Sequence, residues 1–223
     1  MSKNMKGVLG EQYGKVGPVV ARKFRTENVY SAYQKNVSNP RTEAQQIQRM
    51  KFKALSELAH DFACGAIFGF RAAAKGTNRS PRNLFQKTNW LMLEATSLDS
   101  LQIDYTGIAV SKGGLDNVTF GTPSFETPGS VKVTFVNNFV ACQQTENDKV
   151  YIYIYCPDAK TGVLSEGMAR NEGNITVPVP AYWNGLKVHV YGFCRNEGQA
   201  VEEFGIAAGE ASPTQYCGSG NIG

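Results

Sequence analysis

Residues 150–155 read Val-Tyr-Ile-Tyr-Ile-Tyr, and this alternation decides the fold class of the second half of the chain. Successive side chains of a β-strand point to opposite faces, so the segment presents tyrosines on one face and aliphatic side chains on the other. Similar alternation occurs at residues 101–105, 131–135, 175–180 and 186–191. The prolines in the third of these runs predict an edge strand, because proline cannot donate a ladder hydrogen bond.

Turn-forming pairs separate these runs, among them Pro128-Gly129 and Asn184-Gly185. About seven strands at this spacing are typical of an antiparallel sandwich. We therefore predict that residues 99–223 form a β-sandwich of the immunoglobulin or fibronectin type.

The segment before residue 100 has a helical period instead. Asn39-Pro40 breaks the preceding structure, Thr42 can cap a helix, and Gln45 can complete a capping box. Apolar residues then recur at steps of three and four as far as Phe62, which predicts an amphipathic helix over residues 42–63.

A second helix is predicted from Ser80-Pro81, where serine caps the helix and proline takes its first position. It is expected to end near Thr96. Between the two helices, Gly65 and Gly69 leave three interpretations open: a kink, a break or a close helix contact.

Charge divides the chain unevenly. Residues 1–53 carry eleven Lys and Arg against three Asp and Glu, a net charge of +8, whereas residues 101–223 have a net charge of −5. Residues 1–38 lack a helical period, and glycines at positions 7, 10, 14 and 17 interrupt their first half. We predict an α+β protein with a basic extended arm at 1–38, a helical segment at 39–98 with two helices, and the sandwich at 99–223.

Such a basic surface can neutralise phosphates or dock on acidic protein, including the acidic half of a neighbouring copy. The basic residues occur singly or in short groups, which favours a protein partner. Aromatic residues lie between them, and that mixture also suits single-stranded nucleic acid. The basic candidates for partner binding are Arg22, Lys23, Arg25, Arg41 and Arg49.

No catalytic, cofactor-binding or metal-binding residue is predicted. The sequence has no phosphate-binding G-x-x-x-x-G-K-[ST] loop, no H-E-x-x-H and no G-x-S-x-G. Its five cysteines form no C-x-x-C pair and are expected to be reduced and mostly buried. Of the two histidines, His189 lies in an alternating run and is expected to be an ordinary strand residue.

Trp183 is a further candidate for partner binding. If Trp183 and its neighbour Tyr182 are both exposed, they would suit carbohydrate or cell-surface binding. The alternative is that Trp183 packs at a strand edge. The chain has no apolar run of about 18 residues and no secretory signal pattern. We therefore expect no membrane partner, and a protein that acts where it is made or is carried out inside an assembly.

Two motifs resemble a family of uncharacterised proteins found in Bacteroidetes genomes and in phages or prophages of those bacteria. They are GKVGPVV at residues 14–20 and NPRTEAQQIQRMKF at residues 39–52. Residues 183–193, WNGLKVHVYGF, are similar to that family's C-terminal sheet. The resemblance carries no established activity. It implies a virion or mobile-element component, located in the virion or in the bacterial cytoplasm.

The leading hypothesis is a non-enzymatic structural or assembly protein of a phage virion or related mobile element. Its partners would be other copies of itself and other virion or assembly proteins. One alternative is a nucleic-acid-binding protein that uses the basic arm. The other is a carbohydrate- or cell-surface-binding sandwich.

Overall fold

A computed structural model of the chain describes residues 2–4, 13–24, 27–36, 38–138, 148–200 and 206–223. The chain comprises two compact units, Met1–Thr42 and Glu43–Gly223. The first unit therefore ends four residues beyond the predicted arm. From residue 43 onward the predicted helical segment lies in the second unit, and the predicted strand-rich segment lies there entirely.

The first unit contains a four-stranded antiparallel sheet in the order β1-β4-β3-β2. Its strands are β1 (Ser2–Asn4), β2 (Gly14–Val16), β3 (Val19–Phe24) and β4 (Glu27–Ala32). Gly17 allows the tight turn between β2 and β3, because its φ of 58° lies in the left-handed region that glycine tolerates. The described part of the predicted extended arm thus consists largely of strands that pair with one another.

The second unit begins with four helices: α1 (Glu43–Asp61), α2 (Ala63–Gly69), α3 (Arg71–Ala74) and α4 (Pro81–Asn89). The long helix predicted over residues 42–63 is confirmed as α1. At the start of α4, the backbone N–H of Asn83 donates to Oγ of Ser80 at 3.2 Å, so the predicted cap is confirmed.

The predicted end of this helix near Thr96 is wrong. A 3-10 turn follows α4 at Trp90–Met92, and the chain then enters strand β5 (Leu93–Glu94), which pairs with β6 (Gln102–Ile103). This pairing withdraws Leu93 from the helix and buries it completely.

Gly65 and Gly69 mark a close approach between α2 and its neighbours. A Cβ atom at Gly65 would lie 2.7 Å from Cγ1 of Val110 and 2.8 Å from Cδ2 of Tyr153. One at Gly69 would lie 2.7 Å from Cβ of Ser111. The structure shows a close contact at both glycines, made with a loop and a strand and not with another helix, and it shows a break after Gly69, where α2 ends.

Two further antiparallel sheets follow. The larger has the order β10-β9-β13-β14, with β11 also pairing with β9; its strands are β9 (Asp148–Cys156), β10 (Thr161–Leu164), β11 (Met168–Ala169), β13 (Lys187–Asn196) and β14 (Gln215–Asn221). The smaller has the order β12-β8-β7; its strands are β7 (Thr119–Phe120), β8 (Ser130–Val136) and β12 (Asn174–Pro178). The proline-containing strand β12 lies at an edge, as predicted.

The alternation in β9 separates two cores. Val150, Ile152 and Ile154 belong to an aliphatic core that the larger sheet shares with the smaller one. Tyr151, Tyr153 and Tyr155 belong to an aromatic core that the same sheet shares with the helices. The predicted division of tyrosines and aliphatic side chains between the two faces is confirmed.

Strand β13 extends this aromatic face, because its register with β9 places aromatic rings opposite one another. The pairs are His189 with Tyr155, Tyr191 with Tyr153, and Phe193 with Tyr151. The second unit is therefore layered, with helices on one face of the larger sheet and the smaller sheet on the other. The α+β class is confirmed, whereas the immunoglobulin or fibronectin type stays a prediction.

Candidate functional site

Two concave surfaces border α1. The first, which we call the groove, lies between α1 and α4 and has a volume of about 350 Å³; it is lined by Phe52, Leu55, Asn83, Gln86, Lys87 and Trp90. The second, which we call the cleft, has a volume of about 190 Å³; it is lined by Ala54, Glu57, Leu58, Asp61, Leu101, Ile103, Tyr105, Tyr155, Pro157 and Lys160.

The groove combines aromatic surface with positive charge. Phe52 lies one helical turn before the buried Leu55, and 58% of it is exposed. Nζ of Lys51 lies 4.9 Å from the centroid of the half-buried Trp90 ring. Lys87 adds a second ammonium group to the lining. Among the described residues that line the groove, none carries a carboxylate.

Hydrogen bonds between the two helices fix this groove. Nη2 of Arg82 donates to the backbone oxygen of Ser56 at 2.9 Å. Nε2 of Gln86 donates to Oγ of Ser56 at 3.1 Å. These bonds join α4 to α1 next to Leu55, so the groove is preformed.

The cleft has a carboxylate among aromatic and aliphatic side chains. Asp61 ends α1, and its side chain is only 17% exposed. The hydroxyl of Tyr155 donates to Oδ2 of Asp61 at 3.3 Å, and the hydroxyl of Tyr153 donates to its backbone oxygen at 3.3 Å. The aromatic face of the sheet therefore holds this end of α1 in place.

Negative charge dominates the electrostatics of the cleft. Burial, followed by the charges of Asp61 and Asp158, raises the pKa of Tyr105. Burial, followed by the charge of Asp61, raises the pKa of Tyr155 as well. Both phenols are thus neutral near pH 7 and act as hydrogen-bond donors or uncharged ring surfaces.

His189 supports the cleft from behind. Its ring stacks on Tyr105 with centroids 4.7 Å apart, and its Nδ1 lies 2.9 Å from the hydroxyl of Tyr216. Burial, followed by the charge of Lys187, lowers the pKa of His189 to about 4, so its imidazole is neutral near pH 7. His189 is a buried strand residue that positions Tyr105.

Comparison with known protein families identifies the family to which the chain belongs. The model of DUF6266, a family of unknown function, matches residues 10–205. The chain belongs to this family. Its membership confirms that the chain contains an uncharacterised domain, whereas the Bacteroidetes or phage origin stays a prediction. No match to the chain was found among curated proteins.

The basic residues selected from the sequence of this DUF6266 member lie in different places. Arg22 and Lys23 are exposed and consecutive on β3, so their side chains leave opposite faces of that sheet. Arg41 is exposed near the end of the first unit, and Arg49 is exposed on α1 in the second unit. Arg25 lies outside the described residues.

The exposure expected for Trp183 is wrong. Its ring is completely buried in the aliphatic core, in a short 3-10 turn at Ala181–Trp183, while the adjacent Tyr182 is exposed. The alternative is correct that the ring packs within the protein, but it lies in a turn inside the core and not at a strand edge. Trp183 therefore cannot stack on a sugar.

Sequence reasoning missed both the groove and the cleft. The available signal for the groove was Phe52, an aromatic residue outside the apolar stripe of the predicted helix. No local pattern marks the cleft, because Asp61, Tyr105 and Tyr155 come from three distant segments of the chain.

The described residues lack two kinds of feature. No three His, Cys, Asp or Glu side chains come together as a group that could hold a metal ion. No described helix has the length and apolar character needed to cross a membrane.

Proposed function

We propose that this DUF6266 member is a non-enzymatic structural or assembly protein of a phage virion or related mobile element. It acts through protein–protein contacts, and the groove is the surface that carries the proposal. An exposed aromatic patch with a charged rim is typical of protein interaction sites.

Three features of the groove support a protein partner. Tryptophan contributes strongly to binding when it lies in a preformed pocket, and Trp90 is half-buried between α1 and α4. Phe52 offers a second ring within the same lining. Lys51 and Lys87 favour an acidic segment on the partner.

The distribution of charge supports assembly in a second way. The first unit carries eight Lys and Arg against two Asp and Glu, a net charge of +6, whereas the second unit carries fifteen against seventeen, a net charge of −2. Opposite charges on two units of one chain favour association between copies.

The virion or mobile-element context rests on the resemblance of residues 14–20 and 39–52. We also propose that the two packed sheets form a sandwich of the immunoglobulin or fibronectin type. In this account the sheets form the rigid support, while α1 and α4 present the contact surface.

Light scattering after size-exclusion chromatography tests the groove. We expect the wild-type protein to form an assembly, alone or with co-purified virion proteins, and Phe52→Ser to weaken that assembly. Ile67→Ser is the matched control, because Ile67 is 49% exposed on α2 and does not line the groove. A strictly monomeric wild-type protein without a virion partner would contradict the proposal.

Nucleic-acid binding is a second candidate, favoured by the aromatic and basic surface of the first unit. Nζ of Lys15 lies 3.7 Å from the centroid of the Tyr33 ring, and Tyr13 is exposed nearby in sequence. Such surfaces bind single strands by stacking and charge neutralisation.

Salt-dependent binding to single-stranded DNA distinguishes this candidate. The triple variant Arg22→Ala, Lys23→Ala, Arg25→Ala should bind more weakly and with a shallower dependence on salt. The absence of binding by the wild-type protein at low salt would eliminate the candidate.

A further inference from the structure

We propose that the cleft receives a Lys or Arg side chain from the first unit of a second copy, so that copies contact one another head to tail. This inference rests on the proposed assembly function. It identifies a second copy of the chain as the partner, and the cleft, not the groove, as the surface that binds it.

The size of the cleft matches one side chain. Its volume of about 190 Å³ lies below the roughly 300–1,000 Å³ typical of pockets for small-molecule ligands. The rings of Tyr105 and Tyr155 line it with centroids 6.0 Å apart and planes at 32°. With Leu58 and Ile103 they provide a largely apolar wall, against which the aliphatic stem of a Lys or Arg can pack.

Asp61 provides the charge that such a side chain requires. Its Oδ2 accepts from Tyr155, and its Oδ1 lies 3.7 Å from Nδ1 of the exposed His60. A carboxylate has about four acceptor sites, so Asp61 retains capacity for an ammonium or guanidinium group. Because its side chain is only 17% exposed, an ion pair here is less screened than one at the surface.

The charge balance around the cleft also favours a cation. Glu57 and Asp61 line it, and Asp158 lies close enough to raise the pKa of Tyr105. Lys160 is the basic residue among the described lining residues, so the lining itself carries a net charge of −1. Lys160 lies in the exposed turn between β9 and β10, with φ at 51° and its N–H donating to the backbone oxygen of Pro157.

A second copy provides the complementary surface. Its first unit has a net charge of +6, and Arg22 and Lys23 are exposed there. A contact between a cleft and a different surface of the next copy is heterologous, so it builds rings or filaments rather than closed twofold dimers. That geometry is the one an assembly protein requires.

Complementation between two variants of the full chain tests the inference by sedimentation velocity. The cleft variant carries Glu57→Gln and Asp61→Asn. The first-unit variant carries Arg22→Ala, Lys23→Ala and Arg25→Ala. Each alone should self-associate at least about tenfold more weakly than the wild type. Their equimolar mixture should recover a one-to-one dimer, because each supplies the surface that the other lacks.

A matched control separates this effect from a general change in charge. The double variant Glu126→Gln, Glu166→Gln also removes two negative charges, but at exposed positions that do not line the cleft. It should associate like the wild type. If the cleft variant fails to fold, as judged by circular dichroism, Glu57→Lys replaces it, because Glu57 is exposed and its loss leaves the bond from Tyr155 to Asp61 in place.

Three results would overturn the inference. If the wild type assembles and the cleft variant assembles equally well, the contact lies elsewhere and the proposed function stands. If both variants are weakened but their mixture does not recover a dimer, the two surfaces do not meet. A wild-type protein that is monomeric at every concentration also overturns the inference, and the search for virion partners then decides the proposed function separately.

Discussion

Truncation of Phe62 is expected to destabilise the second unit more than any exposed substitution on α1. Phe62 lies between α1 and α2 and is completely buried. Its ring centroid lies 5.6 Å from that of Phe85, 5.3 Å from Tyr153, 4.2 Å from Tyr155 and 5.9 Å from Tyr191. It therefore joins the helices to the aromatic face of the larger sheet.

The expected magnitude follows from this burial. Replacing a fully buried phenylalanine by alanine costs about 3–5 kcal/mol, through lost transfer free energy and the remaining cavity. For a unit of this size each kcal/mol lowers the melting temperature by about 2–4 °C, so Phe62→Ala should lower it by about 6–20 °C. Since domains are stable by only about 5–15 kcal/mol, this is a large fraction of the total.

Urea unfolding followed by circular dichroism measures this change, and Phe52→Ala is the matched control. Phe52 is the same residue type on α1 but is 58% exposed, so its truncation should change the free energy of unfolding by no more than about 0.5 kcal/mol. If the two variants are equally stable, or if Phe62→Ala costs less than about 1 kcal/mol, the helices do not pack on the sheet as described.

Three further perturbations test other parts of the structure. Gly65→Ala should destabilise by about 1–2 kcal/mol, because overpacking outweighs the gain in helix propensity, and adding Val110→Ala should recover part of that loss in urea unfolding. His189 is neutral in the fold with a pKa of about 4, so the unfolded chain takes up its proton first as the pH falls below 6.5. The free energy of unfolding should fall by roughly 1–2 kcal/mol between pH 6.5 and 4, after allowance for screening by water, and His189→Asn should flatten that dependence. Among the described thiols, the exposed Cys64 should react rapidly with a disulfide reagent, and Cys64→Ser should remove that phase; Cys194 should react only on unfolding, because burial raises its pKa to about 11.

The sequence predicts the elements whose pattern is local. In β9 both faces are buried by different layers, so the alternation of tyrosine with aliphatic side chains is explicit in the chain. Ser80-Pro81 likewise carries its own capping chemistry, and the structure reproduces that cap. In both cases the physical cause lies within a few residues.

Features that depend on distant pairing could not be predicted in this way. The helix predicted to continue to Thr96 ends early, because Leu93 pairs with Ile103. Trp183 is buried because the aliphatic core closes over it, and nothing in its immediate neighbours distinguishes it from the exposed Tyr182.

The two concave surfaces illustrate the same limit. Phe52 stands outside the apolar stripe of α1, so the groove had a local signal. The cleft had none, because Asp61 meets the two tyrosines of its lining only after the sheet has formed. Surfaces built by the fold from separate segments require the structure.

Quantitative mass spectrometry of particles purified from a host that carries the gene tests the assembly role most directly. We expect the protein to co-sediment with intact particles in multiple copies, and Phe52→Ser to reduce its incorporation whereas Ile67→Ser does not. Recovery of the protein only in the particle-free fraction would contradict the assembly role.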